Sequence, residues 1–179
     1  MSDSQTPQFE TDAEFLQLIQ PRDEKYVEEL EEDIFDHGCH EAICVWGSIL
    51  IDGHLRYSIC RKWDIRFNIR RLFFQSRDEA EAYICTEQLK RNDLTSEYKK
   101  YLIGRRFRAD MNIASADFLK NHPEKQLNAD GQISQKYVQK TEIATIIGKE
   151  YNFGFSTVTK YDVYARALDE LRIKGPEIT

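Results

Sequence analysis

Ile51-Asp52-Gly53-His54-Leu55-Arg56-Tyr57-Ser58-Ile59 is the stretch on which the reading of this chain turns. Just before it, Ile43 to Trp46 and Ile49 to Ile51 are apolar runs separated by Gly47-Ser48, a two-residue connection suited to a tight hairpin. From His54 the apolar spacing becomes helical, with Tyr57, Ile59, Cys60 and Trp63 on one face. A strand is therefore expected to feed directly into a helix through a glycine. Such a turn exposes backbone N–H groups at a helix N-terminus, where the macrodipole favours anions, and glycine lets a phosphate come close to the backbone. Arg56, about one turn into the helix, can clamp phosphate oxygens with its planar fork. A plain glycine turn carrying a surface arginine accounts for the same residues equally well.

Towards the N-terminus, Phe15 to Ile19 alternates loosely and ends at Pro21, which predicts a short strand. Tyr26, Leu30, Ile34 and Phe35 recur at helical spacing with acids on the other face, and Gly38 is the expected stop. In the other direction, Ile65 to Phe74 reads as a further strand. Ser76-Arg77-Asp78-Glu79 is a capping box that opens a helix through Ala80, Tyr83, Ile84 and Leu89. Thr95 can cap the next helix, which mixes Lys99, Lys100, Arg105, Arg106 and Arg108 with Tyr98, Tyr101, Leu102 and Phe107. That pattern suits a face for the DNA backbone, and equally a solvated surface around a packed stripe. Asn121 to Ser134 is polar, with Pro123 and Gly131, and marks a flexible boundary.

Ala144 to Ala165 has the spacing of a helix-turn-helix. Gly148 supplies a small residue where two helices meet, and Asn152 tolerates the positive φ that the turn requires. Ile147, Tyr151, Phe153, Val158 and Tyr161 are the candidate shared core. Ser156 or a near neighbour would cap the second helix, along which Val158, Tyr161, Ala165 and Leu168 continue the buried stripe. Ser156, Thr157, Thr159 and Lys160 then lie where a recognition helix meets double-stranded DNA: Lys160 on a phosphate, the threonines on bases or backbone. Lys136, Lys140 and Lys149 add basic charge. A helical hairpin that only packs, or that binds a protein, is the competing reading.

The composition, 41% hydrophobic and 31% charged, is that of a soluble globular chain. No apolar run is long enough to span a membrane and no secretory leader is visible, so a cytoplasmic protein is expected. Residues 1 to 40 hold twelve acids against Arg22 and Lys25, so the net charge of −6 conceals a mildly basic remainder. Cys39, Cys44, Cys60 and Cys85 have no paired spacing and read as reduced core thiols. His37, Cys39 and His40 lack a fourth ligand, so no metal site is expected among them.

Gly53-His54-Leu55-Arg56-Tyr57-Ser58-Ile59 resembles the G-E-R-R-x-x-A box of bacterial ParB-type partition proteins. Glu87-Gln88-Leu89-Lys90-Arg91, followed by Asn92-Asp93-Leu94-Thr95, resembles the same family's E-N-x-x-R segment. The resemblance runs from Phe15 to about Arg108. It implies an α+β fold, a small mixed-sheet ParB/sulfiredoxin-like domain followed by an all-α helix-turn-helix domain. It also implies a pocket for CTP or ATP with Mg2+, lined by Gly53, His54, Arg56, Glu87, Gln88 and Arg91. Arg56 and Arg91 are expected to face one anion-sized hollow. His54 and Leu55 stand in place of the box's Glu-Arg pair, Ile59 replaces its alanine, and Gln88 replaces the asparagine. Sulfiredoxin chemistry is discounted, because the nucleophilic cysteine would fall at His54. Asp52-Gly53-His54-Leu55-Arg56 also resembles the D-G-H-x-R loop of ParB-like free serine kinases, under which Asp52 or His54 would serve in ATP-dependent phosphoryl transfer.

The expected organisation is a polar tail over 1–14, a ParB-like domain over 15–92, connecting helices over 93–120, a linker over 121–134 and a helix-turn-helix segment over 135–174. The expected role is a DNA-binding protein of plasmid or mobile-element partition, or of transcriptional regulation, with the pocket as a nucleotide sensor. A binding protein is favoured over an enzyme; small-molecule kinase and protein-interaction module are the alternatives. The chain ends at Thr179, before the room a C-terminal dimerisation domain of chromosomal ParB proteins would need, so a homodimer is expected to form through another surface.

Overall fold

Ile43–Trp46 (β1) and Ile49–Asp52 (β2) pair antiparallel around Gly47-Ser48, as expected. Gly47 carries φ +59°, the positive value that a two-residue hairpin with glycine first demands. In the computed structural model, which describes residues 7–121 and 140–173, this hairpin belongs to the first of two compact units, Met1–Gln75 and Ser76–Thr179.

The first unit also holds Ala13–Leu16 (α1), Glu24–His37 (α2), His54–Trp63 (α3) and Ile69–Arg71 (β3). The sheet order is β2-β1-β3, with β1 and β3 parallel from Ile43↔Ile69 to Val45↔Arg71. Antiparallel and parallel pairings in one sheet make the fold a mixed-sheet α+β arrangement. The strand expected over Ile65 to Phe74 is only three residues long, Ile69 to Arg71, the residues that pair with Ile43 to Val45 of β1. Before it, Asp64 adopts φ +52° to end α3, and the Ile65 N–H bonds back to the Cys60 carbonyl. Phe15 to Ile19 is the end of a one-turn helix and the turn after it rather than a strand. Asp12 accepts hydrogen bonds from the Glu14 and Phe15 amides at 3.0 Å, and Phe15 and Leu18, three residues apart, are both buried. A segment this short cannot separate period two from period three by pattern, and the aspartate cap decides it.

Gly38 ends α2 with φ +86°, as read from the sequence. Ile34 of α2, Ile43 and Val45 of β1, Leu50 of β2 and Ile59 and Cys60 of α3 form one buried cluster. Each large aliphatic side chain removed from water there contributes about 1.5–3 kcal/mol. That cluster fixes the β2–α3 turn against the sheet.

The second unit is helical: Arg77–Leu89 (α4), Ser96–Asn121 (α5), Lys140–Tyr151 (α6) and Phe155–Ile173 (α7). Ser76 accepts from the Glu79 amide at 3.2 Å, the first half of the expected capping box, and Thr95 accepts from the Tyr98 amide at 3.2 Å. The stretch expected as connecting helices is dominated by the single 26-residue α5. Tyr101, Leu102, Ile103 and Phe107 of α5 are almost fully buried. Between them Gly104 lets α7 come close, since a Cβ there would lie 2.1 Å from the Tyr161 carbonyl oxygen. Nearly all of the expected linker, and Lys136, lie outside the described residues.

Candidate functional site

Three places carry the expected functional residues, one in the first unit and two in the second. In the first, Gly53 leaves β2 with φ +86° and opens α3 with no side-chain cap. The positive φ favours glycine, and a Cβ there would also approach Arg56 Nη2 and Ile43 Cδ1 to 3.1 Å, a tight contact that those side-chain ends would have to relieve. The strand–glycine–helix turn is thus present as the sequence predicted.

Arg56 is held by two carboxylates. Its Nη1 lies 2.8 Å from Glu41 Oε2 and its Nη2 lies 3.2 Å from Asp52 Oδ2, with the arginine side chain 20% exposed. Its Nε is buried and makes no hydrogen bond, and neither do the two buried ring nitrogens of His54. Burial outweighs the nearby Asp52 charge and holds the imidazole below its ordinary pKa, so His54 is neutral at pH 7. Sequence reasoning missed Glu41 altogether, because nothing in the local pattern ties a residue ahead of β1 to the α3 arginine.

Glu87, Gln88 and Arg91 stand together at the end of α4 in the second unit. Arg91 Nη1 donates to Gln88 Oε1 at 2.8 Å, while Nε and Nη2 form a two-point fork on Asp93 at 3.0 and 2.7 Å. Gln88 is 7% exposed, and Glu87 receives Lys90 at 2.6 Å. Both arginines expected to grip phosphate therefore already grip carboxylates. Among the described residues no group of three or more His, Cys, Asp or Glu side chains is placed to hold a metal ion.

The third place is the α6–α7 pair. Asn152 takes φ +61° and the Phe153 amide bonds to the Gly148 carbonyl at 2.7 Å, a Schellman closure of α6. A Cβ on Gly148 would sit 2.4 Å from the Phe153 carbonyl oxygen, so Gly148 makes room for the turn itself. The expected cap at Ser156 is displaced: Gly154 occupies the capping position, its carbonyl taking the Thr157 and Val158 amides at 2.9 and 3.2 Å. Gly154 stands two residues before Ser156, and α7 begins at Phe155, two residues earlier than a cap at Ser156 would place it. Ile147 and Val158 are buried and the Phe153 and Tyr161 rings meet edge to face at 5.5 Å. Ser156 and Lys160 are exposed. Thr157 and Thr159 are half-buried, and the Thr159 hydroxyl donates to the Ser156 carbonyl at 3.0 Å.

The α5 arginines are not a DNA-facing surface. Arg105 Nε pairs with Glu81 of α4 at 2.7 Å and its Nη1 with Asp169 of α7 at 3.1 Å. Arg106 bonds Glu150 and the Tyr151 hydroxyl of α6, at 2.9 and 2.7 Å. Arg108 reaches Asp162 and Asp169 of α7, both at 3.0 Å. These charges tie α5 to three other helices. The sequence signal was the seven-residue spacing of Asp162 and Asp169, which puts two acids on one α7 face inside an apolar stripe.

Taken together, a three-stranded mixed sheet opening through an αL glycine into a helix, followed by a four-helix unit, defines a recognisable fold class. That fold is the one seen in ParB N-domains. The chain matches the C2221 crystal form of a pNOB8-like ParB N-domain with a TM-score of 0.59 and 22% identity over 86% of its length. It matches a further structure of the pNOB8-like ParB N-domain with a TM-score of 0.57 and 20% identity over 87%. Coverage of this extent cannot fit within either unit alone. The chain spans 63% and 60% of those two chains. No family model and no curated protein matches the sequence.

Proposed function

We propose that this is a DNA-binding, partition-type protein whose α6–α7 pair docks on double-stranded DNA. The observation that carries the reading is the three-residue turn at Asn152–Gly154, which leaves the start of α7 open, with Ser156 of its first turn and Lys160 of its second exposed. A helix N-terminus presents free amides and positive dipole to a phosphate, and Lys160 adds a full charge beside it. Asp162 and Asp169, the acids that would oppose an anion further along α7, are already neutralised by Arg108 and Arg105. Selection from a random duplex pool tests the reading. Recovery of a defined sequence by the wild type, with relaxed preference in Thr157→Ala or Thr159→Ala, supports it. No retention of duplex DNA at low salt rejects it.

A second reading attaches to the β2–α3 turn, where buried polar atoms of His54 and Arg56 are without hydrogen bonds. Orphaned buried donors beside uncapped helix amides favour a small anionic ligand, in line with the CTP or ATP expected from the sequence. Asp52 and Glu41 would repel a bare triphosphate, so the residues fit a nucleotide that arrives with a divalent cation such as Mg2+. The amides of His54 to Arg56 would meet phosphate, Asp52 and Glu41 the cation, and the metal would supply charge neutralisation. The arrangement favours binding over phosphoryl transfer: the His54 nitrogens are buried, which leaves Asp52, with its side chain 37% exposed, as the reachable base. Calorimetry with Mg–CTP and Mg–ATP tests it. Arg56→Ala should weaken binding by about 1.5–3 kcal/mol, the worth of a charge-assisted hydrogen bond; unchanged affinity places the nucleotide elsewhere, and a phosphorylated hydroxyl product would favour the kinase alternative.

A further inference from the structure

We propose that the face shared by α2 and α3 in the first unit is a docking surface for a basic, apolar-anchored peptide segment of a partner protein. A groove of about 480 Å³ lies there, lined by Glu28, Glu31, Glu32, Phe35, Asp36 and Trp63. Its floor is aromatic. Phe35 is 62% and Trp63 46% exposed, and their rings meet edge to face at 5.4 Å. Two large aromatic side chains left together in water represent unburied apolar area of the kind that marks a binding surface.

The rim decides what the surface accepts. Glu28, Glu32 and Asp36 follow one another at four-residue spacing, so three exposed carboxylates stand in a row along about 12 Å of helix. Like charges at that spacing oppose one another, and no cation of the described residues pairs with any of these three. Glu31 is different: it accepts hydrogen bonds from Lys62 and from the Trp63 indole, which fixes the indole at the edge of the groove. Lys62 Nζ lies 4.9 Å from the Trp63 ring centroid, so the cation next to this aromatic is the chain's own and the exposed carboxylates are left for an incoming one.

A row of acids that long cannot be neutralised by one small ammonium ion. A segment with Lys or Arg repeated along it, and an aliphatic side chain between them to cover Phe35, matches both charge and apolar floor. The same acids repel nucleic acid, so the proposal does not rest on the DNA contact proposed for α7. Its failure would leave that contact untouched.

Fluorescence anisotropy of a labelled peptide of alternating arginine and leucine, titrated with the full chain, tests the proposal against an alternating glutamate–leucine control. Saturable binding of the basic peptide alone is expected. Phe35→Ala should weaken it about tenfold without altering its salt dependence, and Glu32→Lys should weaken it at least as much. Glu170→Lys, an exposed charge reversal in the second unit, is the control for net charge and should leave the affinity within about twofold. Equal binding by the Phe35→Ala protein, or a loss in Glu170→Lys as large as that in Glu32→Lys, overturns the proposal. Unchanged far-ultraviolet circular dichroism in each variant excludes misfolding as the cause.

Discussion

Arg108 and Asp162 form an ion pair across 54 residues of chain, Nε to Oδ1 at 3.0 Å, with the aspartate side chain only 7% exposed. Asp162 also takes Arg166 of its own helix at 3.0 Å, so one buried carboxylate anchors α5 to α7. Removing it leaves Arg108 with Asp169 as its remaining carboxylate and takes from Arg166 its acceptor. Asp162→Ala should therefore lower stability by about 1.5–3 kcal/mol, the worth of hydrogen bonds to a charged group, read as a shift in the urea midpoint at constant m-value. Replacing Arg108 and Asp162 together by apolar residues of similar size should recover most of that loss.

The contact at Gly104 is backbone against backbone, which cannot be relieved by a side-chain rotation. Gly104→Ala would press its methyl into the Tyr161 carbonyl and the Ala165 side chain, at 2.1 and 2.9 Å, and force α5 and α7 apart. A loss of about 2 kcal/mol or more is expected in chemical unfolding, against the small gain that alanine normally brings to a helix. Equal or greater stability of the variant would mean that the helices are not packed this closely.

His54 makes the first unit sensitive to acid. Its pKa is pushed below the ordinary 6.5 by burial, while the unfolded chain keeps the ordinary value. Below pH 6.5 the unfolded chain takes up a proton that the folded protein resists. The stability that neutral His54 allows is complete above that pH and is lost as pH falls through the depressed folded value. The Tm of the wild type should drop more between about pH 7.5 and 5 than that of His54→Leu. Parallel pH profiles would show that the imidazole is solvated.

Much of the fold could be read before any coordinates. The Gly47-Ser48 hairpin, the glycine entering α3, the Ser76 cap and the positive φ at Asn152 each rest on a local rule that a few residues satisfy by themselves. What the sequence hid was the identity of distant partners. Glu41 and Asp52 on Arg56, Asp93 on Arg91, and Asp162 and Asp169 on the α5 arginines are all acids meeting bases, and periodicity says only that a residue is on a face, not what stands opposite. That is why α5 suited a DNA face and a solvated surface alike in the sequence, whereas Arg105, Arg106 and Arg108 form an ionic seam with neighbouring helices. The α1 segment failed for a different reason, since four residues are too few for hydrophobic spacing to distinguish helix from strand.

The open start of α7 is the proposed contact with DNA. The measurement that reaches it most directly is the slope of log affinity against log salt for a duplex, taken for the wild type and for Lys160→Ala. Phosphate contacts release counterions, so wild-type affinity should fall steeply with salt, and loss of the lysine should make the slope shallower by about 1. A wild-type affinity indifferent to salt, or a slope identical in Lys160→Ala, would contradict it.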